Sequence, residues 1–304
     1  MYNKDNKERF ISNIDIKQFP DNYWDNLFGK SAQVEEMYGK DLFNFTKKEI
    51  LSFYKYLDSK SLDYLMVTNF NLIKYAQWAL QETLIIDGQN HFVELVNEEL
   101  ADCVNKLGVD ESIVTKEQFE EMLNKIHSVR DKFIMRAIFE GIKGTKYCEI
   151  INANINDINL KNKTIKLCTG RTVNISNDLI RVAEEAVAET SYISPNGREY
   201  ILYGDYGIIC KNVRPNMSEA NQFNIINKTV RNILNKIGAS RYITINSIYT
   251  SGLIHQIKEF AKQDGCTPEE VVSNTERQKY LINQYGWVTN TRSRFLLRYR
   301  DQLK

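Results

Sequence analysis

Phe139-Glu140-Gly141-Ile142-Lys143-Gly144-Thr145-Lys146-Tyr147-Cys148-Glu149-Ile150 is the stretch on which the fold turns. Upstream of it, Lys132 to Glu140 is apolar along one helical side, through Phe133, Ile134, Ala137, Ile138 and Phe139. Gly141 and Gly144 punctuate a turn, and a short helix is expected over Tyr147 to Ile151. Beyond it the period changes. Ile155, Ile158 and Leu160, then Ile165 and Leu167, flank Lys161-Asn162-Lys163, which reads as a turn. Gly170 makes a second turn before Val173 and Ile175. Helix, glycine turn, short helix and a small β-meander are therefore expected in that order.

Outward from this stretch the chain reads as helical. Downstream, helices are expected over about 177–189, 219–237, 244–264, 268–274, 276–285 and 290–303, with a short strand at Tyr200–Tyr203. Thr267-Pro268-Glu269-Glu270 has a capping hydroxyl, a first-turn proline and acids near the positive end of the dipole. Upstream, Thr115-Lys116-Glu117-Gln118 and Thr46-Lys47-Lys48-Glu49 have capping-box form. Ile50, Leu51, Phe53, Tyr54 and Leu57 follow at helical spacing, and Ser59-Lys60-Ser61 breaks the pattern. Further helices are expected from Asn69 to Glu82 and from His91 to Leu107. Residues 1 to about 40 carry no clear period. Leu107-Gly108-Val109-Asp110-Glu111 reads as a linker. The expected fold class is mainly α with a small β-meander (α+β), in two domains, 1–108 and 112–304.

Composition narrows the function classes. A length of 304 residues suggests about two domains, and the apolar and aromatic content supplies real cores. The five cysteines, at 103, 148, 168, 210 and 266, are odd in number and widely spaced, which argues against a disulfide framework or a zinc site. They read as buried, reduced thiols. No glycine-rich phosphate loop occurs, and the three histidines, at 91, 127 and 255, are scattered. Neither cofactor nor metal is expected. The polar start lacks an apolar leader and no stretch is long enough to span a bilayer, so the chain reads as cytoplasmic with no membrane partner. Net charge is only +1, yet residues 1–111 hold 12 Lys/Arg against 19 Asp/Glu, a net of −7. The remainder, with 28 against 20, carries +8. That asymmetry fits a polyanion on the basic side, and equally a solvated basic face.

A helical N-terminal domain, a linker, then helix, β-meander and helices resembles the layout of tyrosine recombinases. Arg130-Asp131-Lys132-Phe133-Ile134 and the Phe139–Ile150 stretch carry the likeness. In phage integrases the equivalent stretch ends with a glycine turn, an Arg, two residues, then Glu and an apolar residue. The wording Phe-Glu-Gly-Ile-Lys-Gly before Glu149-Ile150, Tyr285-Gly286-Trp287-Val288 and the closing Arg298-Tyr299 resemble, more specifically, the MrpR/YopR master-repressor family of SPbeta-like prophages. That resemblance implies a tyrosine-recombinase-like fold with a core-binding-like N-terminal domain. It also implies a lysogeny repressor that binds operator duplex without recombination, in the bacterial cytoplasm on nucleoid DNA. An antirepressor or co-regulator protein is an open second partner.

Recombinase chemistry requires two phosphate-clamping Arg, a hairpin Lys, a His-x-x-Arg box and a nucleophilic Tyr. The resemblance puts Lys146 at the first Arg position, where the planar fork is lost. Arg171, read as exposed in the short turn Thr169-Gly170-Arg171, stands for the hairpin Lys and cannot shuttle a proton. The box falls on Asn246-Ser247-Ile248-Tyr249, with Asn for His and Tyr for Arg. Trp287 is either the next family position or a core residue. Tyr299 is the only Tyr near the nucleophile position, about a turn late; it is a nucleophile or packing.

Candidate DNA contacts in the helical half are Lys146, Arg171, Lys228, Arg231, Arg241, Tyr249, Lys258, Arg292, Arg294 and Arg298, of which Arg294 and Arg298 can share a face. In the N-terminal domain, helix starts offer Lys47, Lys48, Lys60, Asn69 and Asn71, the asparagines as readers of adenine edges. Two other readings stay open: an active integrase using Tyr299, and a regulatory interaction protein that does not bind DNA.

Overall fold

The computed structural model describes residues 1–14, 19, 22–193, 198–215, 217–287 and 291–304, without the side chains of 219 and 220. The chain divides into two compact units, Met1–Leu107 and Gly108–Lys304.

The first unit opens with helices α1 (Lys4–Asn13) and α2 (Tyr23–Tyr38), both inside the stretch whose sequence shows no period. The reason is visible in α1, where only Lys7 and Phe10 are buried. Helix α3 (Lys47–Tyr56) starts at the expected capping box on Thr46 and Glu49. Helix α4 runs over Leu62–Gln81, seven residues earlier than expected; its cap is Ser61, which accepts from the Tyr64 amide. Phe10, Trp24, Phe28 and Tyr75 form the aromatic core, with Phe10–Trp24 and Phe28–Tyr75 ring centroids each 4.9 Å apart. Lys7 is fully buried beside them, its Nζ 2.6 Å from Glu35 and 3.4 Å from Asp41. The expected helix 91–107 is broken into a 3₁₀ turn at His91–Glu94, α5 (Asn97–Asp102) and α6 (Lys106–Asp110). Leu95 and Val96 are extended between the first two pieces. The expected linker thus falls partly on α6.

The second unit is built around α8 (Val129–Phe139), preceded by α7 (Lys116–Asn124), whose capping box on Thr115 and Gln118 is formed. Nearly all of α8 is buried. A 3₁₀ turn at Thr145–Tyr147 leads into α9 (Cys148–Ile151). The meander follows as β1 (Ile158–Asn159), β2 (Thr164–Lys166) and β3 (Thr172–Asn174), antiparallel in that order. Ile165 faces Val173 across β2–β3, and both are buried against the core. Helix α10 (Asn177–Ala188) returns over α8, and the hairpin β4 (Ser191–Ile193) and β5 (Glu199–Ile201) replaces the single expected strand.

Helices α11 (Glu219–Lys236), α12 (Ile245–Asp264), α13 (Pro268–Val271) and α14 (Thr275–Tyr285) complete the core. The expected helix 290–303 is two pieces, α15 (Arg292–Arg298) and α16 (Arg300–Leu303), and Val288 of the quoted motif lies outside the described residues. The α12–α8 crossing depends on Gly252, where a Cβ would lie 1.7 Å from the Phe139 carbonyl oxygen. Among the described residues, no helix is long and apolar enough to cross a membrane.

Candidate nucleic-acid interface

The site grows from the turn after α8. Gly141 has φ 91° and lies so close to the end of α14 that a Cβ there would be 2.3 Å from the Gln284 carbonyl oxygen. This lets α14 lie against β3, where the buried Gln284 accepts from Asn174 N and donates to the Glu140 and Asn174 carbonyls.

Below this turn Glu149, 1% exposed, is fully enclosed by donors. It accepts from Arg171 Nε at 2.9 Å and Nη2 at 2.5 Å, Thr169 Oγ1 at 2.6 Å and Lys143 N at 3.0 Å. Burial works against its charge, but the Arg171 and Thr169 hydrogen bonds outweigh burial and hold its carboxyl below the usual range. Arg171 also donates to the carbonyls of Asn283 (2.8 Å) and Gly141 (3.1 Å). The reading of Arg171 as an exposed turn cation is corrected: its side chain is 21% exposed and its donors are directed inward, tying the β2–β3 turn to α9, to the turn after α8 and to α14. Cys168 is exposed in the same turn, contrary to the expectation that all five thiols are buried.

Next to this knot, Lys143 Nζ donates to Asn246 Oδ1 at 3.1 Å and sits 4.4 Å from the centre of the Tyr249 ring. Lys143 was not among the residues singled out from sequence. Burial, opposed by Glu149, lowers its pKa. Asn246 and Tyr249, three apart on the first turns of α12, thus share one cation between them. Tyr249 donates its hydroxyl to the Tyr285 carbonyl, and burial pushes its pKa up to about 12. This contact turns its polar end inward.

Lys146 is exposed, and its backbone is left-handed (φ 52°), as is that of Tyr147 (φ 61°). Two successive non-glycine residues in that region store strain, a recurrent feature of functional turns. Tyr147 is pinned to α11: its hydroxyl donates to Asn227 at 2.8 Å and its ring stacks on Phe223. The same face of α11 carries Asn224, Asn227, Lys228, Arg231 and Asn235, at three- and four-residue spacing. With Arg241 and Asn246 they line a cleft of about 700 Å³. Three expected contacts, Lys228, Arg231 and Arg241, are therefore together. The asparagines between them were missed, although their helical spacing is legible. Arg241 stacks on Tyr242 at 4.8 Å and donates to its hydroxyl.

The remaining expected contacts divide. Lys258 is exposed and donates to the Gln302 carbonyl. Arg292, Arg294 and Arg298 are half-buried on the short α15, with Arg298 5.0 Å from the Tyr299 ring. Tyr299 is 7% exposed and packs on Phe295, which also meets Trp287 edge-on. In the first unit, Lys48 is exposed and Lys60 half-buried, while Lys47 is paired with Glu99 at 2.8 Å. The placing of Asn69 and Asn71 at a helix start is corrected. Both lie inside α4, 7% and 4% exposed. Asn69 accepts from Tyr54 and donates to the Phe92 carbonyl, and Asn71 donates to Tyr23. Their amides satisfy buried partners within the first unit.

Residues 113–299 match the family model described as MrpR, C-terminal catalytic domain, and residues 1–81 match MrpR, N-terminal core-binding domain. The chain belongs to the MrpR family. A relative of this MrpR-family chain is the SPbeta prophage-derived uncharacterized protein YopR of Bacillus subtilis (strain 168). It is 23% identical over 322 residues, covering 100% of this chain and 94% of the relative. Among solved structures, XerA recombinase aligns over 98% of this chain and 97% of its own, at 12% identity and a TM-score of 0.43. The Tn1549 transposon integrase (aa 82-397), in complex with circular intermediate DNA, aligns over 95% and 97%, at 13% identity and a TM-score of 0.44.

Proposed function

We propose that this MrpR-family chain is a sequence-specific duplex-DNA-binding repressor that maintains prophage lysogeny and does not cut the strand it holds. The observation that carries this reading is the α11 cleft. Exposed Lys228 and Arg231 stand there beside Arg241 and a row of asparagines, a pattern suited to phosphates and base edges together. The groups at the recombinase positions are engaged otherwise: Arg171 with Glu149, Tyr249 with Tyr285, and Tyr299 in packing. The prophage origin in the name of the YopR relative supports the lysogenic setting, in the host cytoplasm on nucleoid DNA. Relief of repression by an antirepressor or co-regulator protein belongs to the same proposal.

A competing reading, strand cleavage, draws on the word catalytic in the description of the C-terminal family model. One experiment separates the two. Genomic fragments retained by the protein are selected, then tested as intact duplexes and as nicked suicide substrates. The repressor reading expects a salt-sensitive mobility shift and no protein–DNA adduct. A covalent adduct lost in Tyr299→Phe would establish cleavage, and indifference to duplex at low salt would remove both readings.

A further inference from the structure

Helix α11 has a second hollow on its other side. The turn between α7 and α8, strand β4 and the last turns of α11 enclose a pocket of about 350 Å³. That volume is within the range of small-molecule sites, about 300–1,000 Å³. Thr229, Asn232 and Lys236 of α11 line this pocket, while Lys228, Arg231 and Asn235 line the nucleic-acid cleft. The two sets alternate along one helix and serve its two sides.

The pocket combines apolar surface with unspent positive charge. Ile126 and Ile233 are buried in its wall, and Tyr192 and Ile237 are half-buried beside them. Tyr192 is held by Arg130, whose guanidinium lies 4.6 Å from the ring centre. Arg130 also donates to the Asp131 carboxylate, from Nη2 at 2.8 Å and Nε at 3.1 Å. The acid that lines the pocket is therefore already neutralised. The bases are not. Lys125 and Lys236 are exposed at the pocket, and among the described residues their side chains have no hydrogen-bond or ion-pair partner.

We propose that this pocket binds a small organic acid, an apolar body with one carboxylate, and that its occupation weakens the hold on duplex. The effect on duplex rests on the DNA-binding reading above; the binding of the acid does not. The apolar body displaces water from the isoleucines and the Tyr192 ring, and the carboxylate pairs with Lys125 and Lys236. A cationic analogue would meet those lysines with like charge, and a neutral one would leave them to water. The coupling to the cleft is electrostatic. A helix with its side chains is about 10 Å across, close to the screening length of about 8 Å at physiological salt. A carboxylate on one side of α11 therefore repels phosphates on the other. The coupling is reciprocal, so bound duplex weakens the acid by the same factor.

The test titrates the full chain calorimetrically with cinnamate, cinnamamide and cinnamylamine. Saturable one-to-one binding of cinnamate is expected, about five-fold tighter than the amide, with the amine weakest. The double variant Lys125→Gln/Lys236→Gln should bind acid and amide alike. Asn232→Trp, at an exposed position of the wall, should fill the pocket and bind neither, with an unchanged melting temperature. Saturating cinnamate should weaken the selected duplex about three-fold in wild type and leave Asn232→Trp unmoved. No saturable binding of cinnamate, equal affinity for acid and amide in wild type, or full binding by folded Asn232→Trp overturns the proposal. Cinnamate bound with duplex affinity unchanged overturns the coupling. Protein that binds no duplex without cinnamate marks failure of the DNA-binding reading itself; the coupling falls with it, and the calorimetry still decides the pocket.

Discussion

Two regions of the second unit hold their cations in opposite ways. In the knot, Arg171 meets Glu149, Gly141 and Asn283 together, and the pair is mostly withdrawn from water. In the cleft, Lys228 and Arg231 stand exposed on α11 among amide side chains. A guanidinium saturated by the protein's own acceptors stabilises the fold and has little left for a ligand. Exposed cations in a concave, amide-lined surface contribute little to folding and much to the capture of a polyanion. Similar charges in one unit therefore have different work, and burial decides which.

The largest effect should come from breaking the knot. Arg171→Ala leaves a buried carboxylate without the guanidinium that pairs with it, which costs about 3 kcal/mol of stability. Thermal or urea unfolding reads this directly. Arg171→Lys should recover only part of it, because a point charge cannot serve Glu149 and two carbonyls at once. If Arg171→Ala melted like wild type and instead lost duplex affinity, Arg171 would belong with the cleft cations. Tyr249→Phe removes only the hydroxyl bond to the Tyr285 carbonyl, and should cost about 1 kcal/mol.

The first unit has its own buried ion cluster, which sharpens the comparison through pH. Burial, with Asp41 nearby, pushes the Glu35 carboxyl up to about 7, against the opposing pull of Lys7. Its folded pKa is therefore above its unfolded value near 4.5. The stabilisation is complete below the unfolded value and is lost as pH rises through the folded one. Wild type should melt at a lower temperature at about pH 8 than at about pH 5.5, by several degrees. In Glu35→Gln the slope should flatten, with Lys7 still paired to Asp41. An unchanged slope in Glu35→Gln would mean that Glu35 is already ionised by the Lys7 contact at the lower pH.

Helices α3 and α7 and the meander were legible because they rest on local signals: capping boxes at Thr46 and Thr115, the period change after Ile151, and the glycine turn at 170. What was not legible depends on distant partners. Asn69 and Asn71 look like cap residues, since asparagine favours caps; only Tyr54, Phe92 and Tyr23, brought in from elsewhere, make them interior. Arg171 looks like an exposed turn residue until Glu149, 22 positions earlier, is folded beneath it. Lys143 carried no signal, because its partners Asn246 and Tyr249 are a hundred residues away. The basic cleft was half legible: the cations were found, while the asparagines at matching spacing were passed over.

The smallest expected effect is also the most informative about the cleft. Lys228→Ala and Arg231→Ala remove exposed side chains on α11, so stability should move by less than about 0.5 kcal/mol. Each should weaken duplex binding by about 1 kcal/mol, roughly five-fold. If a side chain neutralises one phosphate, its loss lowers the slope of log affinity against log salt by about 0.9. A residue that reads a base edge instead leaves that slope nearly intact and relaxes sequence preference at one position. Asn224→Ala and Asn227→Ala are the controls: having no charge, they should change preference without touching the salt slope. Lys258→Ala, removing a cation bonded to the Gln302 carbonyl outside the cleft, should change neither. A salt slope that falls as far for Lys258→Ala as for Lys228→Ala would mean that duplex is held by diffuse charge, and that the cleft has no special claim on it.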